Sequence, residues 1–556
     1  MAPNTESKKE ELVQNIISYL RPEDAESTYL GSQEYNLRSY TLNSLARTCT
    51  ALHDAASDAL WSTQRSLVPL VRCLGDAVVQ QRIVRSRSYP VETLCLNRPS
   101  TDDDFERMLR CSRRIRAFRR DYARSHKLHQ DIDPELLSAL ASSKHVFFPN
   151  LHSLEWPMEG IKDDCSAHIF SKFLSPSLRN VCLELCMKHD YPTDIILDST
   201  FENSPGIEHL VLSFSPKFQY RGVYRIPDVL QQLTKVLMRS TGLKSLQFQD
   251  PFPDTNLQLL WPVLSTSPQL SKLALSIMFC TTTLSEPSTT ALTFASLRHI
   301  TLKTNDIPTV ISLLDTTTFP ILQSFTLKCL TPSSPSDHPG EQISELFGVL
   351  TRRCSHTQLQ SIDITADACM DPHIGPSRMI HPEVLGLLTV FSNLQNLRIG
   401  AWWHLDQLDD TCLIELTNSW PRLRSISFDS KLQQPLGDTL ITINGLFRVC
   451  RQCPELEMFD MHLNGEVLPG TEEEKGLLDL VGLGGDHHHH PLETLCIGKP
   501  TTQLVSPEQL AKMFVKYFPR LKQVDGAKKW VWSCGTQFWD AGWDEVSRHL
   551  KDSQSR

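Results

Sequence analysis

Residues 420–428, "WPRLRSISF", set Leu423, Ile426 and Phe428 at offsets of three and two behind a proline. Near-copies of that spacing run through most of the chain. Written as six positions with aliphatic or aromatic residues at 1, 4 and 6, the phrase collects "VETLCL" from Val91, "LHSLEW" from Leu151, "LRNVCL" from Leu178, "IEHLVL" from Ile207, "LKSLQF" from Leu243, "LSKLAL" from Leu270 and "LRHITL" from Leu297. It continues as "LQSFTL" from Leu322, "LQSIDI" from Leu359, "LQNLRI" from Leu394, "LRSISF" from Leu423, "LEMFDM" from Leu456 and "LETLCI" from Leu492. A shortened "LKQV" from Leu521 and a weaker "IRAF" from Ile115 complete the set. Starts fall roughly 25 to 37 residues apart, a period that marks stacked repeats.

Within each phrase, positions 4 and 6 lie on one face of a short strand and position 5 on the other, because side chains alternate along extended chain. A proline often precedes position 1, as at Pro149, Pro176, Pro205, Pro268, Pro320, Pro421, Pro454, Pro491 and Pro519. There it stops the preceding helix. Between phrases, "DVLQQLTKVLMRS" (228–240), "EVLGLLTVFSN" (383–393), "NGLFRVCRQC" (444–453) and "PEQLAKMFVKYF" (507–518) repeat apolar residues at intervals of three and four, which predicts amphipathic helices. Strand and helix alternating through short connections predict an α/β solenoid with parallel strands on a concave side and helices on a convex side.

On these phrases the chain resembles an irregular leucine-rich repeat protein over roughly residues 91 to 530. The asparagine or cysteine usual three residues after position 6 is present at Cys186, Asn305 and Asn464, but Pro99, Pro251, Trp402 and Lys431 replace it elsewhere.

The chain has 556 residues, 40% hydrophobic and 21% charged, the composition of a folded protein with a core. A net charge of −9 gives no general attraction to nucleic acid or anionic membrane. The start "MAPNTESKKEEL" has no apolar signal core, and no apolar run is long enough for a membrane helix, so a cytoplasmic or nuclear protein is expected. Sixteen scattered cysteines then read mostly as buried reduced thiols.

Ahead of the repeats, "EELVQNIISYL" carries Leu12, Val13, Ile16, Ile17 and Leu20 at helical spacing, and "TLNSLARTCTALHDAASDALW" carries Leu42, Leu45, Cys49, Leu52, Ala56 and Leu60, ending at Trp61. The segment from "SLARTCTALHDAASDALW" to "LVPLVRCL" resembles the F-box of fungal proteins with leucine-rich repeats. The family's Leu-Pro start is replaced here by Lys8, Lys9 and Glu10, and the polar-rich residues 21–40 separate the two stripes. The resemblance implies docking on a Skp-type adaptor of a cullin ubiquitin ligase through Leu12, Val13, Ile16, Ile17, Leu20, Leu45, Cys49, Leu52 and Trp61, with a protein substrate on the repeats. The same helices also suit a cap over the first repeat, and the two roles are compatible. The expected organisation is an F-box-like helical domain over 1–80, repeats over 81–530 and a C-terminal cap over 531–556.

Position 5 of neighbouring strands places Arg398, Ser427 and Asp460 in one row, and "GAWWHL" puts Trp402, Trp403 and His404 beside it, the expected substrate face. No catalytic residues are expected, since no GxSxG, P-loop, HExxH or strand-borne GxGxxG is present. No cofactor is called for. Cys450 and Cys453 form one CxxC without a matching pair and read as core thiols rather than a metal site. The four histidines of "GGDHHHHP" (484–491) read as an inter-repeat loop, and the arginine-rich residues 107–127 as a solvated helical face. The function expected is that of a non-catalytic ubiquitin-ligase substrate receptor, with an unattached repeat scaffold as the alternative.

Overall fold

The computed structural model describes residues 5–20, 29–48, 50–85, 90–119, 132–156, 164–185, 193–214, 226–249, 252–253, 257–278, 291–330, 339–366, 379–400, 404–405, 408–428, 441–461, 463, 490–497, 507–526 and 543–554. The chain forms two compact units, residues 1–251 with 255–270, and residues 252–254 with 271–556.

The first unit opens with helices α1 (Thr5–Tyr19), α2 (Tyr29–Thr48) and α3 (Thr50–Ser62), followed after β1 (Thr63–Gln64) by α4 (Val68–Arg72). Strands β2 (Val79–Arg85) and β3 (Pro90–Leu96) precede α5 (Asp102–Ser112), and β4 (Ala117–Phe118), β5 (Ser153–Trp156), β6 (Asn180–Leu185), β7 (His209–Phe214) and β8 (Ser245–Phe248) follow. Strands β1, β4, β5, β6, β7 and β8 pair in that order, all parallel.

"VETLCL" departs from the expected repeat, for β3 pairs antiparallel with β2 and stays out of the parallel sheet. The reason is local. "VVQQRIVR" just upstream is itself rich in β-branched residues, and a hairpin needs only a short connection, whereas a parallel partner needs a full crossover. The strand from the weaker "IRAF" phrase, β4, takes the place beside β5.

In the second unit the strands are β9 (Phe252–Pro253), β10 (Lys272–Met278), β11 (Leu292–Thr293), β12 (His299–Thr304), β13 (Thr317–Thr318), β14 (Ser324–Cys329), β15 (Ser361–Ala366), β16 (Met379–Ile380), β17 (Asn396–Ile399), β18 (His404–Leu405), β19 (Ser425–Ser427), β20 (Met458–Met461), β21 (Thr494–Ile497) and β22 (Gln523–Gly526). A parallel sheet runs β10, β12, β14, β15, β17, β19, β20, β21, β22. Helices such as Pro339–Arg353, Asp410–Asn418, Ile443–Gln452 and Pro507–Tyr517 return the chain between strands. This is the α/β leucine-rich-repeat architecture.

From Leu151 to Met461, every residue at phrase positions 1, 4 and 6 is buried. Each such aliphatic side chain contributes about 1.5–3 kcal/mol of burial. Trp420, the first residue of the opening stretch, is fully buried and its Nε1–H donates to the Leu388 carbonyl at 3.2 Å. At the C-terminus, the helix Trp543–Gln554 buries Val546 and Leu550 against the helix Pro507–Tyr517 and β22, while residues 531–542 of the expected cap lie outside the described residues.

Position 2 supplies a seam between repeats. The Gln395 carbonyl accepts the Arg424 N–H at 2.7 Å and the Ser425 N–H at 3.0 Å, and the Gln323 carbonyl accepts those of Gln360 and Ser361 at 2.8 and 3.0 Å. The carbonyls of His152, Arg179, Glu208, Arg298, Gln360, Arg424, Glu457 and Glu493 do the same for the phrase that follows each. Both lone pairs of each oxygen are thereby used.

Candidate functional site

The helical start has its own small core, in which Ile17 of α1, Leu42 of α2 and Ala56 and Ala59 of α3 are buried and Val13, Leu20, Leu45 and Leu60 pack around them. The single stripe read on α1 is therefore two adjacent stripes. Val13, Ile17 and Leu20 point into the bundle, while Leu12, Ile16 and Tyr19 point out, with Leu12 61% exposed and Ile17 3%. Three apolar residues at spacings of four and three cover only one side of a helix, so a run containing both sets must show one of them to solvent.

Of the nine residues expected to touch an adaptor, Leu12 and Ile16 are exposed, Ile17 is buried in the bundle, and Val13, Leu20 and Leu45 are half-buried against its core. Leu52 and Trp61 are half-buried. Cys49 lies outside the described residues. The residues read as a polar spacer include most of α2, and this helix exposes Leu37 and Tyr40, which the reading of the sequence missed. Their spacing of three was the available signal. Arg38 stacks over the Tyr19 ring at 5.7 Å and joins the ends of the two outward sets.

The polar row on the repeats is real as a register. Asp363, Arg398, Ser427 and Asp460 are successive partners across β15, β17, β19 and β20. Its accessibility differs from expectation, because Arg398 is exposed but Ser427 and Asp460 are buried, at 3% and 4% exposure. The Ser427 hydroxyl donates to Asp460 Oδ2 at 2.8 Å, so these two are satisfied internally rather than offered to a partner. The same register runs back through Asp363, Thr326 and Thr301 of β15, β14 and β12, which are half-buried, so solvent reaches this part of the row partly, and Arg398 of β17 fully. Trp402 and Trp403 lie outside the described residues, and His404 falls on β18, paired with Met379 of β16.

Cys450 and Cys453 are buried, and burial pushes the Cys453 thiol up to about 12. Cys453 Sγ donates to the Trp420 carbonyl at 3.5 Å. Among the described residues no group of three or more His, Cys, Asp or Glu is placed to hold a metal, and no helix is long and apolar enough to cross a membrane. In the arginine-rich segment, residues 120–127 lie outside the described residues; Arg114 reaches back to α3, pairing with Asp58 and with Asp54 at 2.9 Å.

His490, last of the four histidines, has a structural role. Its Nε2–H donates to the Cys450 and Cys453 carbonyls at 3.0 and 3.2 Å, and its Nδ1 accepts the Leu492 N–H, so the neutral ring closes the C-terminal end of the helix Ile443–Gln452. Burial lowers its pKa, with the two carbonyl bonds opposing. A histidine neutral in the fold contributes fully above its unfolded pKa, about 6.5, and that contribution is lost as pH falls through the depressed folded value. Stability should therefore decline more steeply below pH 6.5 in the native chain than in a His490→Asn variant, as read from urea midpoints at pH 7.5 and 5.5; equal slopes would exclude this role.

No family model matches the chain. Nor does any curated protein match it in sequence. Among solved structures, the leucine-rich repeat-containing protein LegL7 from Legionella pneumophila matches at 12% identity and a TM-score of 0.25, over 71% of this chain and 95% of that one.

Proposed function

We propose that the chain is a non-catalytic substrate receptor of a Skp–cullin–F-box ubiquitin ligase, in which α1 and α2 dock on the adaptor and the sheet holds a protein substrate. The observation that carries this reading is the outward apolar set Leu12, Ile16, Tyr19, Leu37 and Tyr40 on a bundle that already has a core of its own. Apolar side chains left over after a small bundle is filled are the ordinary signature of a surface that a partner covers. The mechanism is proximity: a substrate held near a charged conjugating enzyme reacts as though intramolecular, through effective concentration. Such a receptor would work in the cytoplasm or nucleus.

The substrate face in this reading is the part of the row that solvent reaches, the half-buried Thr301, Thr326 and Asp363 with the exposed Arg398. A repeat scaffold attached to no ligase is the second reading, supported by the repeats, which need no adaptor to present that face.

Pull-down with a recombinant Skp-type adaptor tests the proposal. Leu12→Asp with Ile16→Asp should lower capture at least tenfold, about 1.4 kcal/mol, with circular dichroism unchanged. Leu45→Asp should instead unfold the bundle, because Leu45 packs on its core. No capture by the native chain, or undiminished capture by the double variant, would favour the scaffold.

A further inference from the structure

Two thiols of the first unit lie side by side. Cys73 closes the C-terminal end of α4, Cys111 sits in the last turn of α5, and their sulfurs are 3.7 Å apart, with Cys73 donating to Cys111. Both are part-exposed, unlike Cys95, Cys329, Cys354, Cys450, Cys453 and Cys496, which are buried.

We propose that Cys73 and Cys111 form a reversible disulfide by exchange with a small-molecule disulfide. Three observations converge on the pair: the sulfurs touch, solvent reaches both, and the surroundings of Cys111 are cationic. The hydrogen bond from Cys73, then the guanidinium groups of Arg114, Arg107 and Arg110, hold the Cys111 thiol below the usual thiol range, with burial opposing. Its hydrogen bond to Cys111, together with burial, moves the Cys73 thiol the other way. Thiolate is the reactive form, and an attacking thiol with a pKa near ambient pH is the most effective one. Cys111 is thus the attacking sulfur and Cys73 the resolving one.

The chemistry balances in two exchanges. The Cys111 thiolate attacks one sulfur of a disulfide RSSR, forming Cys111–S–SR and expelling RS⁻. Cys73 then gives up its proton and attacks Cys111 Sγ, breaking that mixed disulfide and expelling the second RS⁻. The two protein thiols are oxidised, RSSR is reduced to two RSH, and the protons end on the released thiolates. An excess of small thiol reverses both steps.

The location gives the modification a structural reach. Cys111 lies three residues before Arg114, whose guanidinium bridges Asp54 and Asp58 of α3. The cross-link would therefore act where the helical start is tied to the first strands of the sheet.

The test uses the full chain at neutral pH with oxidised glutathione, followed by alkylation, proteolysis and mass spectrometry. The expected product is one peptide pair joined through Cys73 and Cys111, two hydrogens lighter than its parts and cleaved by dithiothreitol, with the buried cysteines alkylated only after unfolding. Glutathione adducts on both residues without a linked pair, or no reaction at either, would overturn the proposal. In a Cys73→Ser variant Cys111 should hold a stable glutathione adduct. In a Cys111→Ser variant Cys73 should react at least tenfold more slowly, and equal rates in the two variants would remove the assigned roles. The native-chain mapping needs no variant to fold.

Discussion

Replacing Trp420 with alanine should lower stability by about 3–5 kcal/mol, the range for deleting a large buried aromatic side chain. Trp420 follows directly on the helix Asp410–Asn418 and its C-cap Ser419, and it is fully buried. Its indole also satisfies the Leu388 carbonyl of the preceding repeat. Trp420→Phe separates the two contributions, since it keeps most of the apolar volume but removes one of the two hydrogen bonds that carbonyl accepts, the other coming from the Phe391 N–H at 3.1 Å, at about 0.5–1.5 kcal/mol. Leu397→Ala and Ile426→Ala, on partner positions of β17 and β19, should each cost about 2–5 kcal/mol. Shifts in urea midpoint measure all four, and a loss below about 0.5 kcal/mol at both Leu397 and Ile426 would mean that these side chains do not face the core.

Gly445→Ala should cost about 2–4 kcal/mol, although alanine favours a helix over glycine by about 1 kcal/mol. Gly445 lies in the first turn of the helix Ile443–Gln452, and a Cβ there would meet Asp410 Oδ1 at 2.0 Å and Cγ at 2.5 Å. That carboxylate is pinned by the Thr442 N–H at 2.8 Å and the Thr442 hydroxyl at 2.6 Å, while the same hydroxyl accepts the Gly445 N–H at 3.2 Å. Moving Asp410 aside therefore breaks two charge-assisted bonds at a helix N-terminus, where negative charge is favourable. In an Asp410→Ala background, Gly445→Ala should become neutral or slightly stabilising. A double-mutant cycle showing no coupling between the two sites would refute the account.

The repeats were legible because their signal is redundant. Positions 1, 4 and 6 carry a buried side chain in phrase after phrase, so the class of fold survives any single misreading. "VETLCL" shows the limit: six residues report strand formation and one buried face, but the choice between a hairpin and a parallel crossover lies in the neighbouring segment. The candidate surfaces were less legible for a similar reason. Spacing reports that Ile16 and Ile17 are both apolar and helical, yet only the positions of α2 and α3 decide which of them the core takes. Likewise alternation places Ser427 and Asp460 on the outward side of their strands, and cannot tell whether that side is open at the later repeats.

The shared-carbonyl seam bears on how such a chain can diverge. What one coil must offer the next is a single oxygen at position 2 and two amides opposite it, all from the main chain, so nearly any side chain is admissible there, and the column indeed holds histidine, arginine, glutamate and glutamine. The stretch between consecutive seam points is free to differ, shorter between Arg298 and Gln323 than between Gln323 and Gln360, without disturbing either end. Insertions and deletions in the connectors are thereby neutral toward the stacking, whereas one residue added inside a phrase would turn every following side chain of that strand to the wrong face. Descent with many length changes then leaves a spaced pattern of leucines as the durable trace and erases most of the alignable sequence around it.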